Sequence, residues 1–550
     1  MNQSEVSALA LRREKLARGR RTGVEGLVTN PRLLWIALVA ALGGLNYGYE
    51  QGSYAQVLVM PSFTNDPRFS RIATDSSFKG WTVSVLPLGG WLGSLVNGYF
   101  VGKFGRRWAI SAASFVCTLG GALTTGAANP DYLFAGRFFI GFSVGMMSTA
   151  VPTFLSELAP TELRGTTAGL FQFAVCLGIM ISYWIGYGTN FISATSSVSW
   201  RIPLAVQCLP ALLLMFGVWL IPESPRHLVN IGQEERARAV LAYIRRTGPD
   251  DELMNIELTE IKAEAIFGEA ERYPHLVNRG PWSDVQIEFL EITTLFSSWD
   301  TFKRTATGGL TMFFQQWTGI DAIVNYAPTI FTSIGLTGNT TSLLASGVVG
   351  MLFVLSVLPA VQLIDKVGRR TLMLAGTAGM LLTLILVAAL DASFGTRWDA
   401  HRAASWFTAA CIWAYIGCFG FSWGPTSWCL IAEIFPLSLR GPGVALSASS
   451  NWMNNFVVSY TVPIMLTHIT WRTYIVFICT LALGGLWVLF FLPETRGKSL
   501  EEMDLVFRSH TGSADVERME RIAREIGLRR YTVASDDEPE KDAADGTEKV

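Results

Sequence analysis

A carboxyl group stands inside the first long apolar block of this 550-residue chain: Glu50, in GGLNYGYEQG. A charge at the centre of a membrane helix costs about 2.5–3.5 kcal/mol on insertion scales, so such a residue is paired, protonated or functional. Arg137, inside the fourth apolar block, is the opposite charge expected to partner it. A buried acid that takes a proton, loosens its hold on an arginine and later releases the proton can couple an ion gradient to movement. The plain alternative is a fixed structural ion pair.

A second group of side chains suits a polyhydroxylated solute. Gln172 lies in the fifth block, Gln315, Gln316, Asp321 and Asn325 in the seventh, Trp428 in the tenth, and Asn451, Trp452 and Asn455 in the eleventh. Amides both donate and accept hydrogen bonds, and aromatic rings cover C–H faces. Taken singly, each amide also serves as glue between helices and each Trp as an interfacial anchor. Asp321 follows Gly319, which can loosen the helix enough to turn the carboxylate inward.

The third group is charged and occurs twice. ELAPTELRG at 157–165 and EIFPLSLRG at 433–441 share Glu-x-x-Pro-x-x-Leu-Arg-Gly, 276 residues apart. GKFGRR at 102–107 is echoed by DKVGRR at 365–370, and PESPR at 222–226 by PETRG at 493–497. These motifs supply Arg106, Arg107, Arg164, Arg369, Arg370 and Arg440, and against them Glu157, Glu223, Asp365, Glu433 and Glu494. Charges at helix ends, facing each other across two bundles, can latch one side shut. Three echoes in the same order indicate two homologous halves, an arrangement common in transporters.

These residues require long apolar elements to hold them. Half of the residues are hydrophobic and 16% are charged, and the apolar ones gather in blocks long enough to cross a bilayer. Twelve such spans are expected, giving an all-α membrane protein of two pseudo-symmetric six-helix bundles. The divisions are a segment at 1–32, a bundle at 33–221, a linker at 222–303, a second bundle at 304–492 and a tail at 493–550. Helical periodicity at 233–248 and 251–272 places short helices in the linker. The tail holds one amphipathic stretch and is otherwise expected to be disordered. Seven Lys and Arg residues in 1–32 start an excess on one side, which places both termini and the linker in the cytosol.

Several classes are excluded. A net charge of −1 argues against a nucleic-acid partner. No G-x-x-x-x-G-K-[ST] loop is present, which argues against ATP-driven transport. The seven cysteines all lie in apolar segments at spacings unlike a metal site, so no metal and no cofactor is expected. No nucleophile–base pair suggests an enzyme.

The motifs GRFFIGFSVG, PTFLSELAPTELRG, PESPRHL, QQWTGIDAIVNYAP, DKVGRR, SWGPTSWCLIAEIFP and PETRGKSLEEMD, in this order over about residues 33–505, resemble the sugar porter family of the major facilitator superfamily, fungal members above all. The resemblance implies alternating access, with the substrate held between the bundles. It also implies that Gln172, Gln315, Gln316, Trp428 and Asn455 contact sugar. Proton-coupled members carry an acid at the position of Glu50 and Arg at that of Arg137; facilitators lack the acid. The implied activity is proton symport of a monosaccharide by a plasma-membrane monomer in contact with lipid. The alternatives are a polyol, inositol, quinate or disaccharide as solute, an uncoupled facilitator, or a non-transporting sensor. Four residues depart from the family pattern. Gly102 replaces a usual acid, Asp321 an Asn, Asn325 a frequent Tyr, and Asn46 an apolar residue.

Overall fold

A computed structural model describes residues 23–160, 163–248, 251–269, 281–336, 338–395, 397–496, 500–507 and 511–525. The basic arm before residue 23 and the acidic end after residue 525 lie outside the described residues. All regular structure among the described residues is helical. Twelve long elements dominate. The first six are α1 (Pro31–Val57), α2 (Ser76–Phe104), α3 (Arg106–Thr125), α4 (Pro130–Leu158), α5 (Arg164–Thr189) and α6 (Val198–Val206 with Cys208–Gly217). The second six are α7 (Trp299–Gln316 with Ile320–Ser333), α8 (Asn339–Val367), α9 (Arg369–Phe394), α10 (Arg402–Phe421 with Trp423–Glu433), α11 (Arg440–His468) and α12 (Arg472–Phe490).

Eight of these are long and apolar enough to span a bilayer on composition alone, and α1 joins them when counted with the helix Gly23–Thr29, from which it turns by 105°. That turn falls at Pro31, whose missing N–H suits the first position of a new helix, while Asn30 caps it by accepting from Leu33 N at 3.3 Å. The remaining three, α2, α7 and α11, are the polar ones. Two of them, α7 and α11, carry most of the interior amides, so their polarity reflects what they line.

Close helix packing rests on small residues. Gly44, Gly48 and Gly52 recur every fourth position along α1 and face α5, where a Cβ at Gly48 would run into the Val175 carbonyl. Along α2 and α4, Gly89 and Gly93 lie against the Phe138 and Phe142 carbonyls. Such stripes let backbones approach where lipid supplies no hydrophobic driving force.

The halves meet along two related seams. In one, α2 packs on α11, with Gly80 against the Tyr460 carbonyl and Gly90 beneath the Trp452 ring. In the other, α5 packs on α8, with Gly350 against Met180 and Gly347 against Trp184. The paired turns α2–α3 and α8–α9 are equally alike. Each is a single glycine at positive φ, Gly105 at 86° and Gly368 at 99°, and a Cβ there would approach His227 or Glu494.

The linker carries the helices Pro225–Asn230, Glu234–Arg245, Glu252–Glu269 and Pro281–Thr294. Periodicity pointed to the second and third, while the first and fourth were not evident from it. The first three share a small core of Leu228, Ala237, Leu241, Met254, Leu258 and Ile261. In the tail, Thr511–Glu525 is helical over most of the amphipathic stretch, and Leu500–Phe507 forms a helix where disorder was expected. Asp504 pairs with buried Arg304 at the start of α7, and Asp515 accepts from Ser438 N at 2.8 Å.

The α1–α5 contact generates a direct test. Gly48→Val should lower the yield and thermal stability of detergent-solubilised protein, since overpacking costs about 1–3 kcal/mol or more. Gly102→Ala, which adds a Cβ into open space, should leave both unchanged in a fluorescence-detected thermal-shift assay.

Candidate functional site

The interior amides converge because α7 is broken. Gly319, at φ 97°, separates its two segments, and Asp321 opens the second. The helix loses regularity again at Tyr326, two residues before Pro328. On either side of the first break, Gln315 meets α10 and α11, and Asp321 and Asn325 meet α11.

Their hydrogen bonding separates them into two kinds. Gln315 is saturated: Nε2 donates to the Trp423 and Gly424 carbonyls at 3.1 and 3.2 Å, and Oε1 accepts from Asn451 Nδ2 at 2.6 Å. Asn325 donates to Ser459 Oγ at 3.0 Å, and that hydroxyl donates to Asn455 Oδ1 at 3.1 Å. In contrast, Gln316 Oε1 and Asp321 Oδ2 are buried without a hydrogen-bond partner. Gln172, Asn325 and Trp428 are half-buried. The Trp452 ring lies 5.6 Å from that of Tyr47, joining α11 to α1 across the halves.

Glu50 is buried in α1, 1% exposed, with Oε1 unpartnered. The expected Glu50–Arg137 ion pair is not formed. Arg137 instead places its guanidinium 3.9 Å from the centre of the Tyr54 ring and donates to the Val83 carbonyl at 3.2 Å. The reason is local: Tyr54 lies one turn beyond Glu50 on the same helix and offers the cation its ring face.

The repeated charges form two matching networks at the end of the bundles beside the linker. In the first half, Arg106 pairs with Glu157 at 2.7 Å and Ser224 Oγ donates to the same carboxylate at 2.5 Å. In the second, Arg369 pairs with Glu433 at 2.7 Å and Thr495 Oγ1 donates to it at 2.5 Å. Arg107 donates to the Trp219 carbonyl and Arg370 to that of Leu489. Glu494 accepts from the backbone N–H groups of Arg369 and Arg370 at 2.9 and 3.1 Å, capping α9 where the helix dipole favours an anion. Glu223 accepts from Ser224 N at 2.9 Å. Arg440 lies within electrostatic reach of Glu264 in the linker and of Glu433. Arg164 opens α5 at the same end. The Asp365 side chain lies outside the described residues. The expected pairing across the bundles is therefore corrected for the two carboxylates Glu157 and Glu433: each closes inside its own half. A duplicated half must satisfy its own buried charges before it can meet its twin.

His227, of the PESPRHL motif, packs against Gly105 beside this network. Burial, then the Arg106 cation, holds its pKa below the ordinary histidine range.

Sequence reasoning missed the tyrosines that tie the site together. Tyr183 donates to the Val324 carbonyl at 2.6 Å across the halves, and Tyr326 donates to the Ser459 carbonyl at 2.6 Å. Both carbonyls lie four residues before a proline inside the helix, Pro328 and Pro463, whose missing N–H leaves the acceptor free, a signal the sequence does carry.

Residues 36–507 match the family described as "Sugar (and other) transporter". The chain is 33% identical to a quinate permease of Neurospora africana, over 87% of this chain and 89% of that one. It is 33% identical to a high-affinity glucose transporter of Kluyveromyces lactis, over 85% and 84%. Among solved structures, the major facilitator superfamily proton:xylose symporter XylE of E. coli matches with a TM-score of 0.70 at 26% identity, covering 87% of this chain and 99% of that one. The chain belongs to this sugar transporter family of the major facilitator superfamily.

The two kinds of glutamine should behave differently. Gln315→Leu removes three hydrogen bonds and strands their partners, and should lower thermal stability by about 1–3 kcal/mol. Gln316→Leu should leave stability near native and raise the KM for solute. Thermal-shift and uptake measurements on both variants check this.

Proposed function

We propose that this transporter carries a neutral monosaccharide into the cell together with a proton, by alternating access between its two six-helix halves. The observation that carries the reading is Glu50, an acid buried in α1 with no ion partner. A carboxylate left so is costly, so the group is suited to be neutral in one state and charged in another. Arg137, held by Tyr54 and the Val83 carbonyl, is the cation available when the carboxylate forms. The likeness to a proton:xylose symporter supports the coupling.

Solute contact is assigned to Gln316 and Asp321, whose buried oxygens await donors, together with the half-buried Gln172, Asn325 and Trp428. Sugar hydroxyls supply such donors. Gln315 and Asn455 support these residues from behind. The matching charge networks act within each half, keeping the helix ends rigid as the halves rock. The site lies in the plasma membrane of a monomer, with both termini and the linker cytosolic, as the excess of basic residues on that side supports.

A second reading, uptake of an acid of the quinate type, draws on the quinate permease relative. Asp321 disfavours it whenever it is ionised, because a buried carboxylate repels an anionic solute.

Glu50→Gln keeps the size and hydrogen bonding of the acid but cannot release a proton. In cells lacking their own sugar carriers, it should abolish accumulation of labelled glucose or xylose against a gradient while sugar–sugar exchange partly survives. Accumulation at the native level would remove Glu50 from the coupling site.

A further inference from the structure

Asn46 is one of the chain's departures from its family, and the structure gives it a distinctive setting. It is fully buried in α1, four residues before Glu50. Its Nδ2 donates to Cys117 Sγ of α3 at 3.0 Å, which leaves Oδ1 buried without a partner. Glu50 Oε1 is in the same condition. Residues four apart on a helix are side-chain neighbours, about 5–6 Å between Cβ atoms. Cys117 also lies within electrostatic reach of Glu50, which places the amide and the acid around one thiol.

Two acceptors side by side repel each other, and each orphaned acceptor carries a desolvation cost. A carboxyl group differs from a carboxylate here, because its O–H is a donor. One proton on Glu50 relieves both orphans at once.

We infer that Asn46 is a positioning residue for the coupling site: Asn46 Oδ1 accepts the hydrogen bond of proton-bearing Glu50 and so favours the loaded form. The inference rests on the reading of Glu50 as the proton carrier. The proton enters from outside water onto a Glu50 oxygen and donates to Asn46 Oδ1. On release it passes to water inside, and the carboxylate, now facing an oxygen, is driven toward Arg137. Asn46 itself neither gains nor loses a proton. The sense of the effect follows from the amide orientation in which Nδ2 donates to Cys117. A flipped amide would aim Nδ2 at the carboxylate and favour the charged form instead.

The other titratable and charged groups around Glu50 are Tyr49 and Tyr54 on α1, Cys117 on α3, Arg137 on α4 and Cys208 on α6. Arg137 alone among them carries a charge at neutral pH, and it favours the carboxylate. Asn46 opposes it, so the balance between the two sets the pH at which the carrier loads.

The test is the external-pH profile of initial uptake of labelled glucose or xylose, whichever the native protein accumulates, normalised to sugar–sugar exchange. Asn46→Leu should move the half-maximal pH about one unit toward acid, the tenfold effect of one lost hydrogen bond. Asn46→Ser, smaller but still an acceptor, should move it less than Asn46→Ala; this pair decides the matter if the leucine variant fails to reach the membrane. In a Glu50→Gln background, Asn46→Leu should add nothing. A shift toward alkaline pH, or no shift, overturns the assignment of Asn46 while Glu50→Gln still flattens the profile. A native profile in Glu50→Gln would instead overturn the coupling reading beneath it.

Discussion

Hydrocarbon offers no hydrogen bonds, so every polar group in a spanning helix has to find its partner within the protein. That constraint organises this structure. Where partners are complete, as for Gln315 with Trp423, Gly424 and Asn451, the residue locks α7 to α10 and α11. Where they are incomplete, as for Glu50, Gln316 and Asp321, the protein holds unspent interaction capacity at its centre. A transporter needs both: fixed contacts to keep each half rigid, and open ones for cargo to complete.

The duplication follows from the same constraint. Each half carries an Arg–Glu pair at 2.7 Å, a hydroxyl at 2.5 Å on the same carboxylate, and a second arginine on a carbonyl at the end of its sixth helix. The Glu157 and Glu433 carboxylates are each held by an arginine and a hydroxyl of their own half or the segment that follows it. Contacts between halves are of another sort: glycines under aromatic rings, a tyrosine on a carbonyl, and the Trp91 indole donating to Ser449 at 2.7 Å. Such contacts can part with few stranded charges.

Much of this was legible in the sequence. The repeated motifs gave the two halves, and the apolar blocks gave the spans. Gly319 announced the break that precedes buried Asp321. The positions of charges were readable, but their partners were not. Arg137 was matched to Glu50 by charge alone, whereas Tyr54, one turn away, offers a ring face that charge counting ignores. The Arg–Glu pairs were assigned across the bundles because sequence separation says nothing about which end of a helix meets which. The helix Pro281–Thr294 was hidden because its apolar and charged residues alternate without a clear stripe. The glycine stripe on α1 was visible as composition, but only the facing carbonyls of α5 give it meaning.

Solute and proton are proposed to move together through this protein. Purified protein in liposomes, adsorbed on a solid-supported membrane, reports charge movement directly. Glucose or xylose added at the outer face should produce an inward positive current that grows as external pH falls, while quinate produces none. Accumulation of quinate together with electrically silent transport of every neutral monosaccharide would contradict the account.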